Sequence, residues 1–263
     1  FVSVGGQGGG AGAGGIAGGV CRADKNYRRQ YSKEIEVTFV RYANSFPIIW
    51  KKIIDKFADL NSQYLEHAGD AAYWYSEMTN TGLLATAAWM SNVPAICEVR
   101  ESKCVFTGRP GRPGPSLGRV DLFLYPDGVH GDWVETKSFA SPRDMSQARR
   151  ERRVIRGLTN RMTEALNDAR KCQNVVRNVT PQGRVVALVF VPFVLSDEYY
   201  GQGRRPARRK ERAAEAIRLL GEHTNGNNWS YAAYFNTDHI DIWDENEMRP
   251  FGFGIVAHFD ELP

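Results

Sequence analysis

The stretch from Gly118 to Ser138 most constrains the fold of this chain, because it has the pattern of a β-hairpin. Apolar residues occupy every second position from Val120 to Leu124, which is the period-two pattern of a strand. Pro126-Asp127-Gly128 supplies turn chemistry, and a second strand begins at Trp133. The sequence therefore predicts two adjacent strands joined by a turn.

Charged residues gather on this hairpin. Glu135 and Lys137 share one face of the second strand, and Asp121 lies on the first strand. If Asp121 shares their face, two carboxylates and one ammonium converge on one spot. Gathering these charges costs free energy unless something is bound there. The alternative is that Glu135 and Lys137 form an ordinary ion pair on an exposed strand.

A bound divalent cation would account for the two carboxylates, because Mg²⁺ prefers oxygen ligands and keeps several of its waters. A lysine beside such an ion can orient an attacking water and stabilise a phosphate. Asp121, followed by Glu135-Thr136-Lys137, resembles the motif of the PD-(D/E)xK nuclease superfamily, with Val120 in place of the motif's proline. The resemblance covers the middle of the chain.

The resemblance implies an α/β fold with a restriction-endonuclease-like αβββαβ core, in which helices flank a mixed sheet. It implies catalytic roles for Asp121, Glu135 and Lys137, with the two carboxylates holding Mg²⁺ and with Mn²⁺ able to substitute. Such folds often begin with a helix that carries an acidic residue near the metal. Glu77 is expected to be this catalytic residue and metal ligand, with Glu66 as the reserve.

A second Glu-x-Lys triplet, Glu101-Ser102-Lys103, competes with the first. No aspartate lies on an obvious strand before it, and Asp70 lies on the far side of a helix-like stretch, so the hairpin context favours Glu135 and Lys137.

The chain divides by pattern into three parts. Residues 1–25 form a Gly-rich leader, residues 26–92 a helical N-terminal part that includes the first core helix, and residues 93–263 the nuclease core with C-terminal strands. The leader matches GxGxxG by composition alone, and no Lys-Ser or Lys-Thr follows. We expect a flexible linker and no nucleotide cofactor, with a nucleotide-binding turn as the alternative.

Hydrophobic periodicity also predicts the remaining elements. Helices are expected after Pro47, over 70–90, from Ser141 onward and over 213–220. Strands are expected over 95–107, 184–195, 231–235 and 251–259, of which 184–195 is apolar on both faces and so buried.

Arginine is concentrated in two segments, although the net charge is only +4. Clustered arginine is typical of proteins that bind polyanions, and a solvated helix face is the alternative. The residues predicted to contact nucleic acid are Arg109, Arg112, Gln147, Arg149, Arg150, Arg153, Arg204 and Arg205. The first two lie on a Pro- and Gly-rich loop, for which a plain flexible connection is equally consistent.

Other features bear on the compartment. No apolar run approaches the roughly 18 residues needed to span a bilayer, and the start lacks the order of a secretory signal. The start also lacks a methionine, as expected of a fragment or processed product. The cysteines form no CxxC pair, which predicts buried free thiols and a reducing, cytoplasmic location: Cys21, Cys97, Cys104 and Cys172.

The function predicted from these patterns is a magnesium-dependent endonuclease of restriction type that hydrolyses phosphodiester bonds in double-stranded DNA. By analogy with that class, a homodimer is expected. Two alternatives stay open: a nucleic-acid-binding module with an idle nuclease core, and a nuclease toxin domain of a delivered effector, with the Gly-rich leader as its joint.

Overall fold

A computed structural model describes residues 36–42, 46–68, 70–103, 116–126, 128, 131–140, 147–171, 183–196, 205–224, 229–237 and 248–261. All of them belong to one compact unit, Tyr31–Pro263. The Gly-rich leader, the loop with Arg109 and Arg112, and Arg204 lie outside the described residues, so the expectations for them stay predictions.

Seven strands and four α-helices make up the described fold. The strands are β1 (Glu36–Tyr42), β2 (Ala95–Lys103), β3 (Ser116–Leu124), β4 (Asp132–Ser138), β5 (Arg184–Ser196), β6 (Tyr231–Asn236) and β7 (Met248–Glu261). The helices are α1 (Ile48–Ala68), α2 (Glu77–Met90), α3 (Gln147–Arg170) and α4 (Arg205–Thr224), with a short 3-10 helix at Ala72–Trp74.

The described strands form one mixed sheet in the order β1-β6-β7-β5-β4-β3-β2. Only β4 and β5 are parallel, and α3 makes the crossover between them. The chain order around the site is helix, three antiparallel strands, helix and strand, from α2 to β5. The prediction of an α/β fold with a mixed sheet flanked by helices is confirmed.

One face of the sheet is covered by α1 and α2. Buried side chains at three-and-four spacing on α1, such as Ile53, Ile54 and Phe57, pack against alternate strand residues, including Leu122 and Val134. This periodicity is the reason that the segment after Pro47 folds as a helix. The resulting core lies directly behind β3 and β4.

The opposite face is covered by α3 and α4. The apolar stripe of α3, including Leu158 and Met162, packs on Ala187 and Val189 of β5. Gly157 lets α3 approach the end of β4 closely, because a Cβ at this position would lie 2.2 Å from the Phe139 ring. With both faces of the sheet covered, β5 is buried throughout 185–194, as its continuous apolar sequence predicts.

Four expectations about local structure are wrong. Residues 26–92 are not all helical, because Glu36–Tyr42 forms β1, whose β-branched and aromatic residues suit a strand. The helix expected over 70–90 begins at Glu77, where Ser76 caps it by accepting from the Thr79 amide. The helix expected at 213 begins at Arg205. Cys97 is exposed rather than buried.

None of the helices in the described ranges has the length and apolar character to cross a membrane.

Candidate active site

The site lies where β3 and β4 separate. Leu122 of β3 pairs with Val134 of β4, and this is the last described pair of that ladder in the direction of Asp121. Beyond it β4 runs on to Ser138, paired with β5 on its other side. We call this opening the fork. Asp121 is the residue directly before Leu122, so its side chain lies where the two strands separate.

Thr136 of β4 has no paired residue in the described part of β3, and the Asp121 carboxylate accepts its backbone hydrogen bond instead. The Thr136 backbone N–H donates to Asp121 Oδ2 at 2.8 Å, and the Thr136 hydroxyl donates to the same oxygen at 3.0 Å. The Thr136 amide is thereby satisfied inside the fork, where β3 no longer supplies a carbonyl. These contacts fix the position of the Asp121 side chain.

Glu77 reaches the fork from the first turn of α2. Its Oε2 accepts a hydrogen bond of 2.9 Å from the Ser138 backbone N–H at the end of β4. Burial raises the pKa of Glu77, the ammonium of Lys137 lowers it, and Asp121 raises it again, with a net shift upward. A carboxylate in the first turn also interacts favourably with the helix dipole.

Lys137 is surrounded by negative charge. Burial lowers its pKa, but four carboxylates raise it further, so the net pKa lies above the usual lysine value; the four are Glu77, Asp121, Glu135 and Asp168. Its Nζ lies 3.6 Å from Asp168 Oδ2 on α3. The surrounding carboxylates therefore stabilise the charged form of Lys137, which suits a fixed cation.

Glu135 completes the set and is only 2% exposed. The structure thus brings together the four side chains that the sequence singled out: Asp121, Glu135, Lys137 and Glu77. Glu66, the reserve for the acidic helix residue, is exposed on α1 and is not among the charges that act on Lys137.

The donor chemistry at the fork suits a hard divalent cation. Four carboxylates act on Lys137, and the cations beside them are Lys137, Arg161 and Lys171, so the carboxylates outnumber these cations by one. Within the described ranges, no three His, Cys, Asp or Glu side chains are grouped closely enough to hold a metal ion by themselves. Mg²⁺ commonly uses one or two carboxylates and several waters, so it does not require such a cage.

Comparison with known proteins gives no relative. The chain matches no family model, and neither a curated protein nor a solved structure is similar to it.

The competing triplet lies away from the fork. Glu101 pairs with Gly118 and Lys103 with Ser116, at the far end of the edge strand β2 from Asp121. The residue opposite Asp121 is Glu98, which is skipped in the ladder and has a φ of 52°. The triplet Glu101-Ser102-Lys103 therefore lies on β2, the strand next to Asp121, but it is not opposite Asp121.

The arginines in the N-terminal half of α3 divide into two groups. Arg149 and Arg153 are exposed, as expected of nucleic-acid contacts, and so are Arg152 and Arg156. We call these four residues the basic stripe. The first turn of α3 has no acidic residue to balance them.

Arg150 points elsewhere and forms a bidentate pair with Glu215 of α4, at 3.0 Å and 2.7 Å. The two side chains are 11% and 8% exposed. This places Arg150 in the contact between α3 and α4 rather than in the basic stripe. Gln147 and Arg205 begin α3 and α4, and their side chains are outside the description, so their predicted contacts stay predictions.

Three contributors at the site were not predicted. Thr136 lies inside the Glu-x-Lys triplet. Thr81 lies one helical turn after Glu77, and its hydroxyl is 2.8 Å from that of Thr136. Asp168 approaches Lys137 from a helix that starts after the motif ends. The spacing of Thr136 and Thr81 from the predicted site residues is a weak indication of their role. The contact of Asp168 instead depends on how α3 packs against β4.

Proposed function

We propose that the protein is a magnesium-dependent nuclease of the PD-(D/E)xK type that hydrolyses phosphodiester bonds in double-stranded DNA. The observation that carries the proposal is the convergence of Asp121, Glu135, Lys137 and Glu77 at the fork. Two adjacent strands and the start of a helix supply these residues, so the arrangement depends on the tertiary fold and not on a short motif alone.

The element order supports the same proposal. Helix α2, strands β2 to β4, helix α3 and strand β5 follow one another in the αβββαβ order that the superfamily resemblance implies. The acidic residue that the resemblance places on the first helix corresponds to Glu77, which contacts the end of β4.

Each residue has a role in this proposal. Asp121 and Glu135 would hold the metal, and Glu77 would add a ligand directly or through water. A bound Mg²⁺ supplies Lewis-acid chemistry, because it activates water and neutralises phosphate charge. The raised pKa of Lys137 suits a cation that orients the attacking water and stabilises negative charge on the phosphate.

The basic stripe gives the proposed substrate a path to the fork. Arg161 of α3 acts electrostatically on Glu77, so the middle of α3 lies near the site. The helix rises roughly 1.5 Å per residue, which puts Arg149 roughly 18 Å along α3 from Arg161. A duplex extends about five base pairs over that distance. A duplex bound at the fork would therefore extend far enough along α3 to reach the stripe.

The test is cleavage of supercoiled plasmid with Mg²⁺, with EDTA as the control. Cutting should require the metal and should disappear in Asp121→Asn, whose amide oxygen carries no charge. Cleavage that persists in EDTA, or at wild-type rate in Asp121→Asn, would contradict the proposal. DNA binding without cleavage under all these conditions would instead support the nucleic-acid-binding module with an idle core, which the basic stripe alone could serve. The homodimer stays a prediction.

A further inference from the structure

Two buried threonines link the fork to α2. The hydroxyls of Thr81 and Thr136 lie 2.8 Å apart, and the Thr81 hydroxyl is also 2.8 Å from the Glu77 carbonyl oxygen. Thr81 is 5% exposed and Thr136 is fully buried. The hydroxyl of Thr136 then donates to Asp121 Oδ2. A continuous path of hydrogen bonds therefore runs from the first turn of α2 to the Asp121 carboxylate.

Counting protons fixes the donor of the bond between Thr136 and Asp121. A carboxylate only accepts, so the single hydroxyl proton of Thr136 is committed to Asp121. The Thr81 hydroxyl has one proton and donates to the Glu77 carbonyl oxygen. Its 2.8 Å contact with the Thr136 hydroxyl holds that hydroxyl in place beside Asp121.

We propose that Thr136 and Thr81 are positioning residues that fix Asp121 Oδ2 inside the fork and so present Oδ1 to the divalent cation. This inference rests on the proposed function for its last step only. Two donors on one oxygen prevent the carboxylate from rotating, and charge-assisted hydrogen bonds are the stronger kind. Without the Thr136 hydroxyl, Asp121 keeps the amide contact alone and can turn about it.

The variants Thr136→Val and Thr81→Val remove one hydroxyl each and keep the branched shape. Thr86→Val is the matched control, because Thr86 also lies on α2 and donates to the carbonyl four residues before it, that of Gly82, at 2.9 Å. Thr86 is exposed and takes no part in the path to Asp121. Thr136→Ser restores the hydroxyl and should rescue the effects of Thr136→Val.

The first measurement needs no enzymatic activity. The side-chain carboxyl ¹³C resonance of Asp121 should shift in Thr136→Val and, by a smaller amount, in Thr81→Val, and should stay in place in Thr86→Val. An Asp121 resonance that does not move in Thr136→Val would overturn the inference, whether or not the protein is a nuclease. Equal shifts in all three variants would also overturn it, because the effect would then be general.

The second measurement uses Mn²⁺ as the probe, followed by electron paramagnetic resonance. Loss of a hydrogen bond to a charged group should weaken Mn²⁺ binding by about tenfold in Thr136→Val. Cleavage should then need more metal and return toward the wild-type rate at saturation. If the Asp121 resonance moves while Mn²⁺ affinity is unchanged, the positioning role is overturned. If wild-type protein binds no Mn²⁺ and does not cleave, the proposed function fails, and with it the step from Asp121 to the cation.

Discussion

The Glu77 carboxylate accepts a 2.9 Å hydrogen bond from the backbone N–H of Ser138, which joins the first residue of α2 to the last residue of β4. The contact spans 61 residues of sequence and closes one side of the fork. It holds a carboxylate in a half-buried position where its ionised form is disfavoured, since burial raises its pKa. This arrangement has a measurable effect on stability.

Glu77→Gln should become more stable, relative to wild type, as the pH rises. A raised folded-state pKa means that the stability contributed by Glu77 is complete below the unfolded pKa and is lost as the pH rises through the folded pKa. Glutamine keeps an acceptor for the Ser138 amide but does not ionise. Urea unfolding at pH 4 and pH 8 without metal measures the difference. The exposed Glu66→Gln is the control, and the prediction is wrong if both variants behave alike.

Lys137→Ala should fold and bind DNA but lose cleavage. Removing a cation that stabilises the transition state commonly costs a hundredfold or more in rate. Lys171→Ala is a matched control, because the Lys171 ammonium contacts Asp168, as does Lys137, but is exposed. Lys103→Ala tests the competing triplet. Single-turnover cleavage rates and melting temperatures measure the outcome, and an inactive Lys103→Ala beside an active Lys137→Ala would mean that the other triplet is catalytic.

Binding of Mg²⁺ should lower the pKa of Lys137. That pKa is held above its usual value because the carboxylates around it outweigh burial, and a divalent cation would neutralise part of their charge. A pH titration of the Lys137 side-chain ¹⁵N resonance, with and without Mg²⁺, measures the change. Removing the metal with EDTA should restore the higher value. In Asp121→Asn the response to Mg²⁺ should shrink, and an unchanged Lys137 titration in wild type would place the metal elsewhere.

Replacing Arg149 and Arg153 together by glutamine should reduce the salt dependence of DNA binding. Each lost phosphate contact lowers the log–log slope by roughly 0.9, so two contacts remove about 1.8. Arg170→Gln is the control on the same helix, because Arg170 is exposed but pairs with Asp260. Fluorescence anisotropy across a salt series gives the slopes. A double variant with the wild-type slope would assign these arginines to a solvated face.

Arg150→Gln should affect stability instead of the salt slope. It removes the bidentate partner of Glu215, which keeps a single contact to Arg212 at 3.0 Å. Weakening such a largely buried charged pair should cost roughly 1–3 kcal/mol of unfolding free energy. Chemical denaturation measures this cost, and a stable Arg150→Gln with a reduced salt slope would return Arg150 to the nucleic-acid interface.

Local patterns predicted the elements that carry strong periodicity. The alternation around Asp121 and the continuous apolar run of β5 both gave the correct strands, because side-chain spacing reports directly on the buried face. The sequence does not predict Glu36–Tyr42 as a strand although its composition suits one, because the segments that follow it have helical spacing. Thr81 and Asp168 depend on packing between distant segments, which no local pattern records.

The position of Arg150 shows the same limit. Its neighbours Arg149, Arg152 and Arg153 are exposed, and only the rotation of α3 against α4 turns Arg150 toward Glu215. Sequence spacing predicts which residues lie on the same face of a helix. It does not predict which of those faces another helix covers.

The place of β1 in the sheet has a consequence for biosynthesis. Glu36 pairs with Asn236, so the first described strand finds its only described neighbour near the other end of the chain. A ribosome that adds residues one at a time releases β1 long before β6, and pairings of such high contact order form slowly. Until then the unpaired backbone N–H and C=O groups of β1 are open to pairing with other chains, so we expect the nascent protein to aggregate more readily than the folded one.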